Sequence, residues 1–114
     1  QAKTPRDRAA AIIIASFDET CFAPATVAAW MTLYAASRTN SGTARLLRVY
    51  QRRLRSNLTH ALRGASPRPH ADAETIAALI DGLYLRAALS SRGTAAQAMK
   101  SALSTLDLLL QAPR

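Results

Sequence analysis

Four side chains on two predicted helices have the types and the spacing of a binding site for a small organic cation. Trp30 and Tyr34 are four residues apart and therefore share one helix face, and Asp81 and Tyr84, three apart, share a face of another helix. Aromatic rings attract a quaternary ammonium group through their π faces, and a nearby carboxylate balances its charge. The alternative is a set of ordinary core aromatics, with Asp81 paired to an arginine.

The residue types that serve catalysis or metal binding show no comparable arrangement. His60 and His70 have no cysteine, histidine or carboxylate at metal-ligand spacing. Cys21 has no base near it in sequence, and a buried, inert thiol is the usual state of such a residue. The chain has neither a glycine-rich phosphate loop nor a visible catalytic triad. We therefore expect no enzyme, no metal site and no cofactor.

The carboxylate Asp81 lies in a mostly apolar stretch, "ALIDGLYLRAALS", which also contains a glycine and an arginine. Asp81 and Arg86 are five residues apart and point in different directions, so each needs a partner on another helix, in a second subunit or in a ligand. Ala78 and Gly82 are four residues apart on one face, and their small size lets another helix approach closely. That helix belongs either to the same chain or to a second copy.

The composition predicts a single all-α domain. The chain has 114 residues, which suits one domain, and strong helix formers dominate while only four glycines interrupt it. The single cysteine excludes an intrachain disulfide. Because no apolar run reaches the length of a membrane span and no signal peptide is visible, we expect a cytoplasmic chain without a membrane partner. The chain begins at Gln1 rather than at a methionine, which indicates a part of a longer protein.

Capping residues and breakers predict five helices along the chain. The first opens with Thr4 as N-cap and Pro5 at the first helical position, and the fifth opens with a capping box from Thr94 to Gln97. The predicted ranges are about 5–17, 24–38, 43–63, 72–91 and 94–111. The last two helices are apolar over more than one face and therefore need partners on several sides, which a second subunit can supply.

The charge of the chain is strongly basic. It carries thirteen arginines and two lysines against seven acids, a net charge of +8. Four arginines form a stripe along one face of the third predicted helix: Arg45, Arg48, Arg52 and Arg55. Such a stripe contacts phosphates or an anionic membrane in some proteins, but it is more often a solvated face, and no aromatic residue is interleaved with it to stack on bases.

Three stretches of the chain resemble a known family of regulators. "FAPATVAAWMTLYAAS", "LLRVYQRRLRSNLTHALR" and "AALIDGLYLRAALS" follow one another in the order and spacing of the C-terminal regulatory part of TetR-family transcriptional repressors. The resemblance covers about residues 8–91 and is strongest to the BetI-like, choline-responsive branch. Tyr34 and Tyr84 stand where that branch tends to carry tryptophan.

The resemblance implies a function for the whole chain, residues 1–114. It implies a five-helix, all-α domain that binds a small inducer, choline or another small cation, and forms a homodimer. Operator DNA would be bound only by an N-terminal helix-turn-helix domain that this chain lacks. The inducer would enter between the second, third and fourth helices, beside Trp30, Tyr34, Asp81 and Tyr84. A purely structural helical dimerisation module without a ligand is the alternative.

The same resemblance implies where two copies meet. The last two helices of family members usually pack against their two-fold mates as a four-helix bundle. In this chain we expect the interface to contain small and branched apolar residues of those helices: Ala78, Gly82, Leu85, Leu89, Ala98, Ala102, Leu106 and Leu109.

Overall fold

The described part of the chain folds into five α-helices, as the sequence predicts. The computed structural model describes residues 4–90 and 95–111, and within these ranges it contains no strand. A 3-10 turn, Glu19–Phe22, joins the first two helices. The helices are α1 (Pro5–Ser16), α2 (Pro24–Ala36), α3 (Ser41–Leu62), α4 (Pro69–Leu89) and α5 (Ala95–Gln111). The all-α prediction is therefore confirmed.

Side-chain caps fix the first residues of α1 and α3. Thr4 Oγ1 accepts a hydrogen bond from the backbone N–H of Asp7 over 3.0 Å, the N-cap that the sequence predicts. Asn40 Oδ1 accepts in the same way from the N–H of Thr43 over 2.9 Å. Because Asn40 rather than a later residue is the cap, α3 begins at Ser41, two residues before the predicted start.

The ends of α4 differ from the prediction. The helix begins at Pro69, three residues before the expected Asp72, because a proline is well accommodated at the first helical position. The structure places its last residue at Leu89. The predicted end at residue 91 and the capping box at Thr94 lie outside the described residues.

The hydrophobic core lies between α1, α3, α4 and α5, and α3 and α4 pack against each other most extensively. The largest fully buried side chains come from all four helices: Ile13, Leu58, Leu62, Ile76, Ile80 and Leu106. By contrast, α2 is apolar along its length yet has no fully buried residue. It lies against α3 and the 3-10 turn, and its partly buried aromatic residues pack at the edge of the core.

Two contacts fasten α1 to the rest of the domain. The Arg6 guanidinium donates two hydrogen bonds to the Asp107 carboxylate on α5, over 2.9 and 3.0 Å. Where α3 ends, Gly64 lies against the start of α1, and a Cβ there would be 2.7 Å from Cγ of Pro5. Glycine is therefore needed at this close approach of two chain segments.

Three of the predicted interface residues lie inside a single chain. Ala98, Ala102 and Leu106 are at most 7% exposed and form the face of α5 that packs into the core. This part of the prediction is wrong, because a side chain already buried within one chain presents no surface to a second copy. Leu109 is half-buried at the edge of the core.

The four predicted interface residues of α4 are instead exposed: Ala78, Gly82, Leu85 and Leu89. A Cβ on Gly82 would meet no atom of the described residues within 4 Å. A close contact inside the same chain, one of the two explanations for this glycine, is therefore absent. The outer face of α4 is apolar and has no partner within the described part of the chain.

Candidate functional site

A cavity of about 420 Å³ lies between α1, α2, α3 and α4. All four side chains singled out from the sequence line it: Trp30 and Tyr34 from α2, and Asp81 and Tyr84 from α4. Helical spacing placed each pair on one face, and the fold brings the two faces to the same cavity. The volume is within the range of about 300–1,000 Å³ that is typical of small-molecule pockets.

The aromatic wall of the cavity, formed by Trp30, Tyr34 and Tyr50, includes one residue that was not predicted from the sequence. The Trp30 ring is 5.8 Å from the ring of Tyr34 and 4.8 Å from the ring of Tyr50, measured between centroids. Tyr50 belongs to α3 and lines the cavity. One feature of the sequence points to Tyr50: it precedes Leu54 by one helical turn and so shares a face with it. In the structure Leu54 is buried and Tyr50 lies at the edge of the core.

Tyr84 is held in place by contacts with the segment between α1 and α2. Its hydroxyl donates a hydrogen bond to the backbone carbonyl of Cys21 over 2.7 Å. Its ring centroid is 4.9 Å from that of Phe22. Cys21 packs against the core but is only partly buried, and it lines the cavity.

Asp81 is a half-buried carboxylate that has no cationic partner within the described part of the chain. Among residues 4–90 and 95–111 no arginine, lysine or histidine forms an ion pair with it. Burial raises the pKa of Asp81, and the charge of Glu74 adds to this effect. The alternative in which an arginine neutralises this carboxylate is therefore absent from the described fold.

The charge of Asp81 affects the pKa values of two tyrosines of the aromatic wall. Burial, and then the negative charge of Asp81, raise the pKa of Tyr34 and of Tyr50 to about 12. Both phenols are therefore neutral at physiological pH. The cavity combines a carboxylate with uncharged aromatic rings, which is an environment that favours a cation of low hydration.

Two further polar side chains of the cavity come from α3. Arg53 and Asn57 are four residues apart, share one face of that helix, and line the cavity with Tyr50. Neither residue was predicted from the sequence. Arg53 is adjacent to the basic stripe and resembles a member of it. Its position one residue after Arg52 turns it toward a different face of the helix.

The basic stripe of α3 has its own surroundings, away from this cavity. All four arginines are exposed, and Arg55 forms an ion pair with Glu74 on α4 over 3.2 Å. His60 and His70, which appear isolated in sequence, line one polar cavity of about 520 Å³ together with Arg52 and Arg63. No cluster of three or more potential metal-ligating residues is found within the described residues.

The described helices fall short of a membrane span in length or in apolarity. None of them is long and apolar enough to cross a membrane by itself. The segments Pro5–Phe22 and Pro24–Ala36 meet the length and composition criteria only as a pair, and that pair is bent by 108°.

Comparison with known proteins places the chain among transcriptional regulators. A family model described as "BetI-type transcriptional repressor, C-terminal" matches residues 5–111. Proteins named "HTH-type transcriptional regulator BetI" are similar to the chain: that of Brucella melitensis is 48% identical over 93 residues and that of Rhizobium meliloti 49% over 92 residues. These alignments cover 80% and 79% of the chain, respectively. No solved structure matches it.

The matched relatives are longer than the chain. The aligned residues make up 47% of the Brucella melitensis protein and 45% of the Rhizobium meliloti protein. The chain therefore spans about half the length of the curated relatives it matches. These relatives are named as regulators and not as enzymes.

Proposed function

The chain belongs to the BetI-type transcriptional repressors of the TetR family, whose C-terminal domain it matches, and we propose that it senses a small organic cation and joins two copies of the protein. The observation that carries the sensing role is Asp81, a half-buried carboxylate that faces a cavity with aromatic walls and has no cationic partner among the described residues. A ligand would supply the missing positive charge.

The chemistry of the cavity favours a quaternary ammonium group over a primary amine. Such a group has no N–H to donate and is weakly hydrated, so it gains most from π faces such as those of Trp30, Tyr34 and Tyr50. Asp81 balances its charge at short range without a direct hydrogen bond. The proposed inducer is therefore a molecule with a trimethylammonium head, such as choline, in agreement with the family resemblance.

The dimerisation role rests on the outer face of α4. This face carries Ala78 and Gly82, which are small, and then Leu85 and Leu89, which are 38% and 68% exposed. Leu108 on α5 is also exposed, by 67%. A second copy that packs α4 and α5 against these surfaces would bury the leucines and complete a four-helix bundle.

The proposed mechanism couples the cavity to DNA binding through the arrangement of the helices. Operator DNA would be contacted by the half of the full-length protein that this chain does not span. The ligand would bind one arrangement of the helices more tightly than another and thereby change the separation of the two DNA-binding parts. The effect of the ligand on operator affinity cannot exceed the difference between its affinities for the two arrangements.

The alternative function is a structural dimerisation module without a ligand. The open cavity beside the half-buried Trp30 favours sensing, because a purely structural module would gain stability by filling it. Titration of choline into the purified chain, followed by the fluorescence of its single tryptophan, distinguishes a ligand sensor from a structural module. Saturable quenching, absent with sodium chloride at matched ionic strength, is expected. No change in a folded sample would favour the structural module.

A further inference from the structure

The cavity carries two opposite charges on two different helices. Asp81 is on α4, whereas Arg53 is on α3 with Asn57 one turn further along. Both charged side chains line the cavity, yet they form no ion pair with each other. The ion pairs of the described residues lie elsewhere and join Arg6 with Asp7 and Asp107, and Arg55 with Glu74.

The separation of these charges also appears in the behaviour of the carboxylate. The pKa of Asp81 is raised by burial and by Glu74, and no cation in the cavity offsets these effects. A cation in contact with the carboxylate would favour its charged form and lower that pKa. Within the described residues, the carboxylate of Asp81 and the guanidinium of Arg53 are therefore not paired with each other.

A simple cation satisfies only one of these two charges. It would neutralise Asp81 and leave the guanidinium of Arg53 as a like charge near the same cavity. A molecule with an anionic group at its other end would occupy both walls, because arginine binds carboxylate, sulfonate and phosphate oxygens through paired N–H donors. Asn57 adds an amide donor on the same side of α3.

We propose that the cavity is built for a small zwitterion, whose ammonium end lies against Asp81 and the aromatic rings and whose anionic end is bound by Arg53 and Asn57. This inference rests on the proposed cation site and narrows the class of its ligand. The cavity of about 420 Å³ has room for such a molecule beyond its trimethylammonium head.

The chain offers a matched control for Arg53. Arg52 is the preceding residue of the same helix, is also exposed, and lines the polar cavity that contains His60 and His70 rather than this one. Arg52→Gln and Arg53→Gln therefore remove the same charge from the same helix. Only the second substitution removes a group that lines the proposed ligand cavity.

Calorimetric titration with four probes tests the proposal. Tetramethylammonium and choline supply the cation alone, and N,N,N-trimethylglycine and 4-(trimethylammonio)butanoate add a carboxylate at two distances. At least one zwitterion is expected to bind about tenfold more tightly than tetramethylammonium. Arg53→Gln is expected to remove this advantage without weakening the binding of tetramethylammonium, because it removes a positive charge beside the cavity. Arg52→Gln should leave both affinities as they are in the wild type.

The outcomes separate the two proposals. If tetramethylammonium and choline bind and depend on Asp81, but neither zwitterion binds more tightly or Arg53→Gln has no effect on the zwitterions, the zwitterion inference is overturned and the cation site stands. If none of the four probes binds to the folded chain, the cation site itself is overturned, and the inference falls with it. Circular dichroism spectra of each variant establish that the chain is folded.

Discussion

The hydroxyl of Tyr84 on α4 donates a hydrogen bond to the backbone carbonyl of Cys21, 63 residues earlier in the chain, over 2.7 Å. This bond ties α4 to the 3-10 turn that leads into α2. Since the hydroxyl is already engaged by the protein, Tyr84 offers a ligand its ring and not its O–H. The position of this ring is therefore fixed by the fold before any ligand enters.

Removal of that hydroxyl is expected to affect stability more than binding. Tyr84→Phe deletes the hydrogen bond and should lower the free energy of unfolding by about 1 kcal/mol, while the retained ring keeps the affinity for choline nearly unchanged. Tyr34→Phe is the control, because no hydrogen bond of the Tyr34 hydroxyl is found among the described residues. Denaturant unfolding and choline titration of both variants check this. Equal losses of stability in the two variants would contradict the assigned role of Tyr84.

Cation binding should depend on pH through Asp81. Burial raises the pKa of this carboxyl, and only its ionised form attracts a cation. Affinity for choline is therefore expected to be full above that raised pKa and to fall as the pH decreases through it. Asp81→Asn should bind choline weakly and without this pH dependence. Titrations over a pH series that runs from neutral pH into acid measure the effect, and a pH-dependent wild type with an equally pH-dependent Asp81→Asn variant would contradict it.

Substitution on the outer face of α4 should separate dimerisation from folding. Gly82→Leu adds a side chain where no atom of the described residues lies within 4 Å of the new Cβ. Because leucine also favours the helix over glycine, the monomer should remain folded. The same bulk would block close packing of a second copy, and light scattering should report a monomer. Ala28→Leu, which adds bulk to an exposed position of α2, is the control and should leave the dimer intact. A dimeric Gly82→Leu variant would contradict the proposed interface.

The ion pair between Arg6 and Asp107 should contribute a small, acid-sensitive stabilisation. The hydrogen bonds from Arg6 lower the pKa of Asp107, so the contribution is present above the unfolded-state pKa of an aspartate and is lost as the pH falls through the lower, folded-state pKa. Because both side chains are 41% exposed, Asp107→Asn is expected to cost at most about 1 kcal/mol at neutral pH. Unfolding of both proteins at pH 7 and in acid measures it. If Asp107→Asn lowered the free energy of unfolding by the same amount below the folded-state pKa of Asp107, the ionic origin of this stabilisation would be contradicted.

Local signals in the sequence predicted the helices well, because caps and breakers act over a few residues. Thr4 and Pro5 mark the start of α1 in both sequence and structure. The start of α4 was placed too late, because Pro69 follows another proline of a loop and reads as a breaker, whereas it occupies the first helical turn. A proline in that position looks the same in sequence whichever role it has.

Contacts between distant elements account for what the sequence did not predict. Tyr50 joins the aromatic wall only because α3 packs beside α2, and no spacing within α3 indicates this partner. The sequence also does not determine which face of α5 packs into the core, since a helix that is apolar on several sides has more than one candidate inward face. Ala98 and Ala102 proved to lie on the inward face, where their small side chains pack within the core of the chain.

The most direct test of the account compares choline with its uncharged isostere, 3,3-dimethylbutan-1-ol, in which carbon replaces the quaternary nitrogen. The two molecules have nearly the same shape, so the difference in their affinities reports the charge recognised by Asp81 and the aromatic rings. Calorimetry on the purified chain should show choline bound at least about tenfold more tightly, with the preference lost in Asp81→Asn. Equal affinities for choline and the alcohol in the wild-type chain would contradict the account and leave an apolar cavity without charge recognition.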